Sequence, residues 1–155
     1  GPFDGNGRGG FDAVYPPEQG VDLDATCPGK GGATVRWQRS DGFTDGEVNS
    51  LRIYDDNDDV SIYLYREITA REATVYQGSF GSDDGIKVYL NGTPLYTKRI
   101  ARILIEDEDH ITLSLKKGWN TVLLKVDQGA VFWTVCAKVT DPDGVLRVAA
   151  MAGED

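Results

Sequence analysis

Histidine and methionine each occur once in these 155 residues, and cysteine twice. One histidine leaves little room for acid–base or triad catalysis. A Ser-His-Asp arrangement would have to run through His110, which opens a predicted strand among acidic residues and reads as a solvated side chain. There is no G-x-S-x-G elbow and no glycine-rich phosphate loop. Carboxylates are plentiful, but nothing in the sequence marks one pair as special. The chain is therefore expected not to be an enzyme. Cys27 and Cys136 are far apart and lack metal-ligand spacing. They either pair in an oxidising compartment or are two buried thiols, and the apolar strand around Cys136 favours thiols.

Basic residues are also few, 16 against 25 acidic, for a formal net charge of −9. This balance argues against nucleic acid or anionic membrane as a partner, because either needs a basic face. No apolar run reaches the length of a membrane-spanning helix. A neutral or cationic ligand, or a divalent cation, is compatible with the charge. The first residues do not read as a signal peptide, and both ends read as cuts from a longer protein. The expectation is one domain of a multidomain parent.

Helical periodicity is scarce, whereas glycine is abundant, with 19 residues. Eight to ten short alternating segments appear instead. Residues 60–68 place Ile62, Leu64, Arg66 and Ile68 on one face, with Arg66 as the exception that needs a carboxylate partner or a strand end. Residues 73–80, 86–90, 94–99, 110–115, 119–126 and 131–139 follow, separated by turn signals. Residues 11–17 read as a short edge strand stopped by Pro16 and Pro17. Residues 33–38 and 51–54 are further short strands, and 101–109 is strand or helical turn. The turn at 141–144 leads to a last strand or tail at 145–150. This spacing predicts an all-β antiparallel β-sandwich, of jelly-roll type, in a single domain spanning 1–155.

The chain is organised around residues 81–92, G-S-D-D-G-I-K-V-Y-L-N-G. Ser82, Asp83, Asp84 and Gly85 form a turn at the root of a strand, and Asn91-Gly92 closes a hairpin with the residues that a type I′ turn needs. Asp83 and Asp84 are either a solvated corner or a binding site. Adjacent carboxylates repel, and a cation or a hydrogen-bond donor would relieve that cost. The competing reading is that Asp83 caps its own turn. On either reading Asp84→Asn is expected to leave stability nearly unchanged. The second acidic run, residues 55–59, is not an EF-hand, since Val60 and Arg66 stand where glycine and a bidentate glutamate are required.

The segment S-D-D-G-I-K-V-Y-L-N-G, followed by L-K-K-G-W-N-T-V-L-L-K-V-D-Q-G and a tryptophan strand, resembles galactose-binding-like jelly rolls of secreted bacterial enzymes and surface proteins. Its adjacent aspartates are similar to the turn of protective-antigen-type glycan-binding domains. The resemblance implies a non-catalytic carbohydrate-binding module, extracellular or periplasmic, that tethers a parent protein to a glycan. It also implies calcium at Asp83 and Asp84, although no second cluster of ligands lies near them in sequence. The alternative is a structural sandwich that docks onto neighbouring domains. For sugar stacking, Tyr63, Tyr65 and Tyr89 lie on the outward phase of their strands and Trp119 follows a turn. Trp37 and Trp133 fall on the inward phase and read as core.

Overall fold

The structure, a computed structural model, describes residues 1–7, 9–52 and 57–140, and the backbone of 146–148. Asp55 and Asp56 of the second acidic run, and the turn at 141–144, lie outside the described residues. In chain order the elements are β1 (Phe3–Asp4), α1 (Pro16–Gln19), β2 (Thr26–Pro28), β3 (Thr34–Arg36), β4 (Asn49–Ser50), β5 (Val60–Ala70), β6 (Thr74–Asp83) and β7 (Ile86–Leu90). They continue with β8 (Thr93–Lys98), β9 (Asp109–Leu115), β10 (Gly118–Gln128), β11 (Thr134–Thr140) and β12 (Leu146–Val148).

The fold is an antiparallel β-sandwich, as the alternation predicts. One sheet has the order β1-β5-β10-β7-β8, with β12 sharing the outer edge of β5 with β1; the other has the order β4-β11-β6-β9. Because β5, β7 and β10 lie in one sheet and β6, β9 and β11 in the other, the chain crosses between layers at most of its turns. The longest register is β5 with β10, from Ala70 opposite Gly118 to Val60 opposite Gln128. Alternation along β10 sends Val122, Leu124 and Val126 into the space between the sheets. There they meet Phe80, Leu113, Val135 and Trp133, the last fully buried. Burying each such aliphatic side chain stabilises by about 1.5–3 kcal/mol. Arg66 sits at the edge of this layer, half exposed, with Asp45 as its partner at 2.6 Å. His110 is exposed, and Cys27 and Cys136 are free thiols.

The opposite face of the first sheet is not bare. Side chains from residues 3–37 pack across it: Phe3 and Val35 form a second apolar cluster with Tyr63, Tyr89 and Leu123 of the sheet, and Tyr15, Trp37 and Tyr65 pack against it. Residues 11–17 differ from expectation here. The two prolines do not stop an edge strand; they occupy the first positions of the short helix α1. Proline suits that place because the first helical N–H groups have no intrahelical acceptor. Trp37 is part of this second cluster and is only partly buried.

Candidate functional site

Residues 81–85 form the crossing between sheets. Strand β6 ends at Asp83 in one sheet, and β7 begins at Ile86 in the other. The Asp83–Asp84 peptide is cis. At the far end of β7, Asn91 and Gly92 take φ values of 51° and 77° and turn the chain into β8, the positive-φ pair that the hairpin signal requires. Asn91 is fully used there: its amide donates to Asn120 Oδ1 and its side-chain oxygen accepts from Thr121 N–H.

The two aspartates have different jobs. The carboxylate of Asp84 accepts the backbone N–H of Arg102 at 3.0 Å and that of Gly129 at 2.9 Å. It thus joins the loop before β9 and the loop after β10 to the corner. The Asp84 backbone carbonyl accepts from Ser82 Oγ at 2.7 Å. Self-capping by Asp83 is therefore corrected: Asp84 is the capping residue, and it caps two other loops. The expectation of an innocuous Asp84→Asn is corrected with it. An asparagine keeps one acceptor but turns a donor toward the second N–H, and charge-assisted bonds contribute about 1.5–3 kcal/mol. Asp84→Asn should cost about 2 kcal/mol in urea unfolding.

Asp83 is different. Its residue surface is only 6% exposed, yet no hydrogen bond to its carboxylate is found among the described residues. Burial, and then the neighbouring Asp84 charge, push its pKa up to about 6, against the pull of Arg102. It lies in a depression of about 360 Å³ lined also by Val48, Ile103, Leu104, Glu106, Phe132 and Thr134. Ile103 and Phe132 are 72% and 62% exposed. The result is a carboxylate at the base of an open, apolar-rimmed cup.

Because ionised Asp83 is disfavoured in the folded state, the native protein keeps a proton that the unfolded chain has already released between about pH 4 and 6. The contribution of this group to stability is therefore greatest below about pH 4 and declines until about pH 6. Asp83→Asn should raise the melting temperature at pH 7 and leave it unchanged at pH 4. Melts of the two proteins at both pH values check this, and a loss of stability at pH 7 would contradict it.

The loop carrying Ile103 and Leu104 is the segment between β8 and β9 that sequence leaves between strand and helix. It is neither. Arg102 fixes it: the guanidinium bonds Asp109 Oδ2 at 2.5 Å, Ser82 Oγ at 2.8 Å and Glu108 Oε2 at 2.6 Å. Tyr96 and Lys98 also bond Asp109, at 2.9 and 2.8 Å. Burial pushes the Asp109 carboxyl up, but these donors outweigh it and hold the group below the usual range. Sequence reasoning missed Arg102, Asp109 and Phe132. An arginine inside an apolar stretch (A-R-I-L-I) was the signal that could have found the first.

No protein-family model matches the chain, and no curated protein sequence matches it significantly. Its backbone is similar to several solved structures. One is the PA14 domain of the MpAFP antifreeze protein, at 23% identity and TM-score 0.46, over 57% of this chain and 47% of that one. A second is a family 35 carbohydrate-binding module from an environmental isolate, at 18% identity and TM-score 0.46, over 71% and 93% of the two chains. A third is a β-glucosidase from Kluyveromyces marxianus in complex with glucose, at 16% identity and TM-score 0.48, over 70% and 13%. The chain thus spans about half the length of the first of these. All three scores are below 0.5, and the likenesses carry no weight for function.

The aromatic residues expected to stack on sugar are not together at the cup. Tyr63 and Tyr89 are 5% and 6% exposed under the N-terminal segment, and both hydroxyls donate to Glu18. An open platform at these two residues is therefore corrected. Period two places them on the outer face, but the residues that cover that face come from elsewhere in the chain. Burial, followed by the Glu18 contact, pushes both phenols above their ordinary value. Tyr65 is half-buried, donates to Glu67 at 2.8 Å, and is pushed up to about 12. Trp119 is exposed on the same sheet face.

Proposed function

We propose that the cup around Asp83 binds a glycan, and that the domain is a non-catalytic module holding its parent protein at that glycan outside the cytoplasm. The observation that carries this reading is the Asp83 carboxylate, set in an open cup beside Val48, Ile103, Leu104 and Phe132 and without a hydrogen-bond donor of its own. A sugar offers hydroxyl donors to such a carboxylate and a C–H face to a ring such as Phe132. Ionised Asp83 would gain from such hydroxyl donors, and weak binding suffices for a tethering module.

Calcium belongs to the same proposal. Among the described residues no group of three or more His, Cys, Asp or Glu converges as a metal site. The oxygens of Asp84 already accept two backbone donors. A calcium ion here would therefore take Asp83 together with backbone, water or ligand oxygens, which suits a weakly held ion shared with a sugar.

A second reading is supported by the exposed Val48, Ile103, Ile105, Val131 and Phe132 at this end of the sandwich. Together they would suit docking onto a neighbouring domain of the parent chain. A glycan array with the wild type and Asp83→Asn, in calcium and in chelator, separates the two readings. The glycan reading expects bound sugars on the array, a defined subset of which Asp83→Asn loses. An empty array in both conditions overturns it and leaves the docking surface.

A further inference from the structure

A second concavity lies on the outer face of the β1-β5-β10-β7-β8 sheet and shares no lining residue with the cup. It encloses about 230 Å³ between residues 17–21 and the ring and side-chain surfaces of Tyr65, Tyr89, Thr121 and Leu123. The N-terminal segment covers the sheet only in part, so a cleft remains beside α1. Beyond it, on the same face of β10, stands Trp119. Trp119, Thr121 and Leu123 alternate on that face in unbroken register with β5, while Val122 and Leu124 point into the sandwich. Four residues of strand put Trp119 about 13 Å from Leu123. Its indole is 54% exposed.

The chemistry of the cleft narrows its ligand. Both tyrosine hydroxyls are donated to carboxylates, Tyr65 to Glu67 and Tyr89 to Glu18. They are therefore engaged; half-buried Tyr65 offers part of its ring to a ligand, and Tyr89, 6% exposed, belongs to the buried wall of the cleft. Glu18 is in turn compensated by Lys125 at 3.0 Å and Lys87 at 3.8 Å. With Glu67 counted, two lysines face two carboxylates and leave no excess positive charge to attract an anion, and the chain as a whole carries −9. Gln19 and Thr121 supply polar groups at the side. An aromatic floor, a few neutral polar groups and an exposed indole further along one strand suit an extended molecule with apolar faces and hydroxyl edges.

We propose that this cleft and Trp119 form a second site, for a segment of neutral polysaccharide lying along the sheet face. It does not use Asp83 and does not rest on the cup. Two sites on one domain would bind one polymer with an avidity that neither reaches alone.

Affinity electrophoresis through mixed-linkage β-glucan, xyloglucan and galactomannan tests this, with acrylamide quenching of tryptophan in the same solutions. Trp133 is fully buried, so quenching reports chiefly on Trp119 and the half-buried Trp37. The wild type should be retarded by at least one polymer, which should also protect its fluorescence. Trp119→Ala, at an exposed position that should spare the fold, should weaken retardation about tenfold. Gln19→Ala should weaken it less. Asp83→Asn should keep the fluorescence protection. If no polymer retards the wild type, or if Trp119→Ala and Gln19→Ala both migrate as the wild type does, the second site is overturned. Retardation abolished by Asp83→Asn but unaffected by Trp119→Ala would overturn this site and leave the cup intact.

Discussion

Arg102→Met should lower the unfolding free energy by about 3 kcal/mol, measured by urea titration. The guanidinium side chain is nearly buried, and its partner Asp109 is more so, at 7% and 1% exposed. Breaking a buried pair from one side costs about 3–5 kcal/mol, because the remaining charge keeps its desolvation penalty. Lys98 and Tyr96 stay bonded to Asp109 and place the effect at the lower end. The ion pair of Arg99 with Asp12 is the internal comparison. Both of its side chains are more than half exposed, so Arg99→Ala should cost under about 1 kcal/mol.

Arg102→Lys separates charge from geometry. Lysine keeps the cation but cannot reach Ser82, Glu108 and Asp109 together, as the planar fork does. It should restore only part of the lost stability. A purely structural role would stop there, but Arg102 also lowers the pKa of Asp83. Arg102→Met should therefore move Asp83 further upward in a carboxyl-carbon NMR titration, and Arg102→Lys should move it less. Equal stability of Arg102→Met and wild type would refute the account of the loop.

The central sandwich was legible in the sequence because its signals are local. Alternation at Ile86, Val88 and Leu90, and the Asn91-Gly92 pair, depend only on nearest neighbours along the chain. The acidic corner was legible as a corner for the same reason. The division of labour within it was not. Asp84 is committed by N–H groups from Arg102 and Gly129, which lie 18 and 45 residues away. No spacing rule distinguishes it from Asp83. The phase of Tyr63 and Tyr89 was correct, but phase says only which face a side chain takes. What covers that face was decided by Phe3, Tyr15 and Val35, and nothing local in the short strands read at 11–17 and 33–38 says which face they pack on. Position 125 shows the same limit: a lysine between Leu124 and Val126 looks solvent-directed, yet its side chain is fully buried.

Lys125 carries the last prediction. Its ammonium donates to the carbonyls of Phe11 at 3.1 Å and Ala13 at 2.6 Å, and to Glu18 Oε1 at 3.0 Å. It also lies 4.9 Å from the Tyr15 ring centre. Burial lowers the Lys125 pKa, with Glu18 opposing the shift. Burial would raise Glu18, but the hydroxyls of Tyr63 and Tyr89, and then Lys125, outweigh it and hold the carboxyl below its usual range. Lys125→Met keeps the length of the chain and removes the charge. It leaves one carboxylate and two carbonyls short of a donor, at a cost of about 3–5 kcal/mol. The loss should be spatially confined. The hydrogen-bond acceptors of Lys125 lie at positions 11, 13 and 18, and the Tyr63 ring lies 5.7 Å from its ammonium on the same face, whereas β6 and β9 pack on the far side of the sheet. Hydrogen exchange should therefore accelerate over residues 9–21 and in the adjoining cleft, with β6 and β9 remaining protected in a sub-global opening. Adding Glu18→Gln removes the stranded charge while retaining acceptors for the two tyrosines. The double variant should recover about 2 kcal/mol relative to the sum of the single losses. Strictly additive losses, or an exchange pattern unchanged at residues 9–21, would show that the ion pair does not hold the N-terminal segment to the sheet.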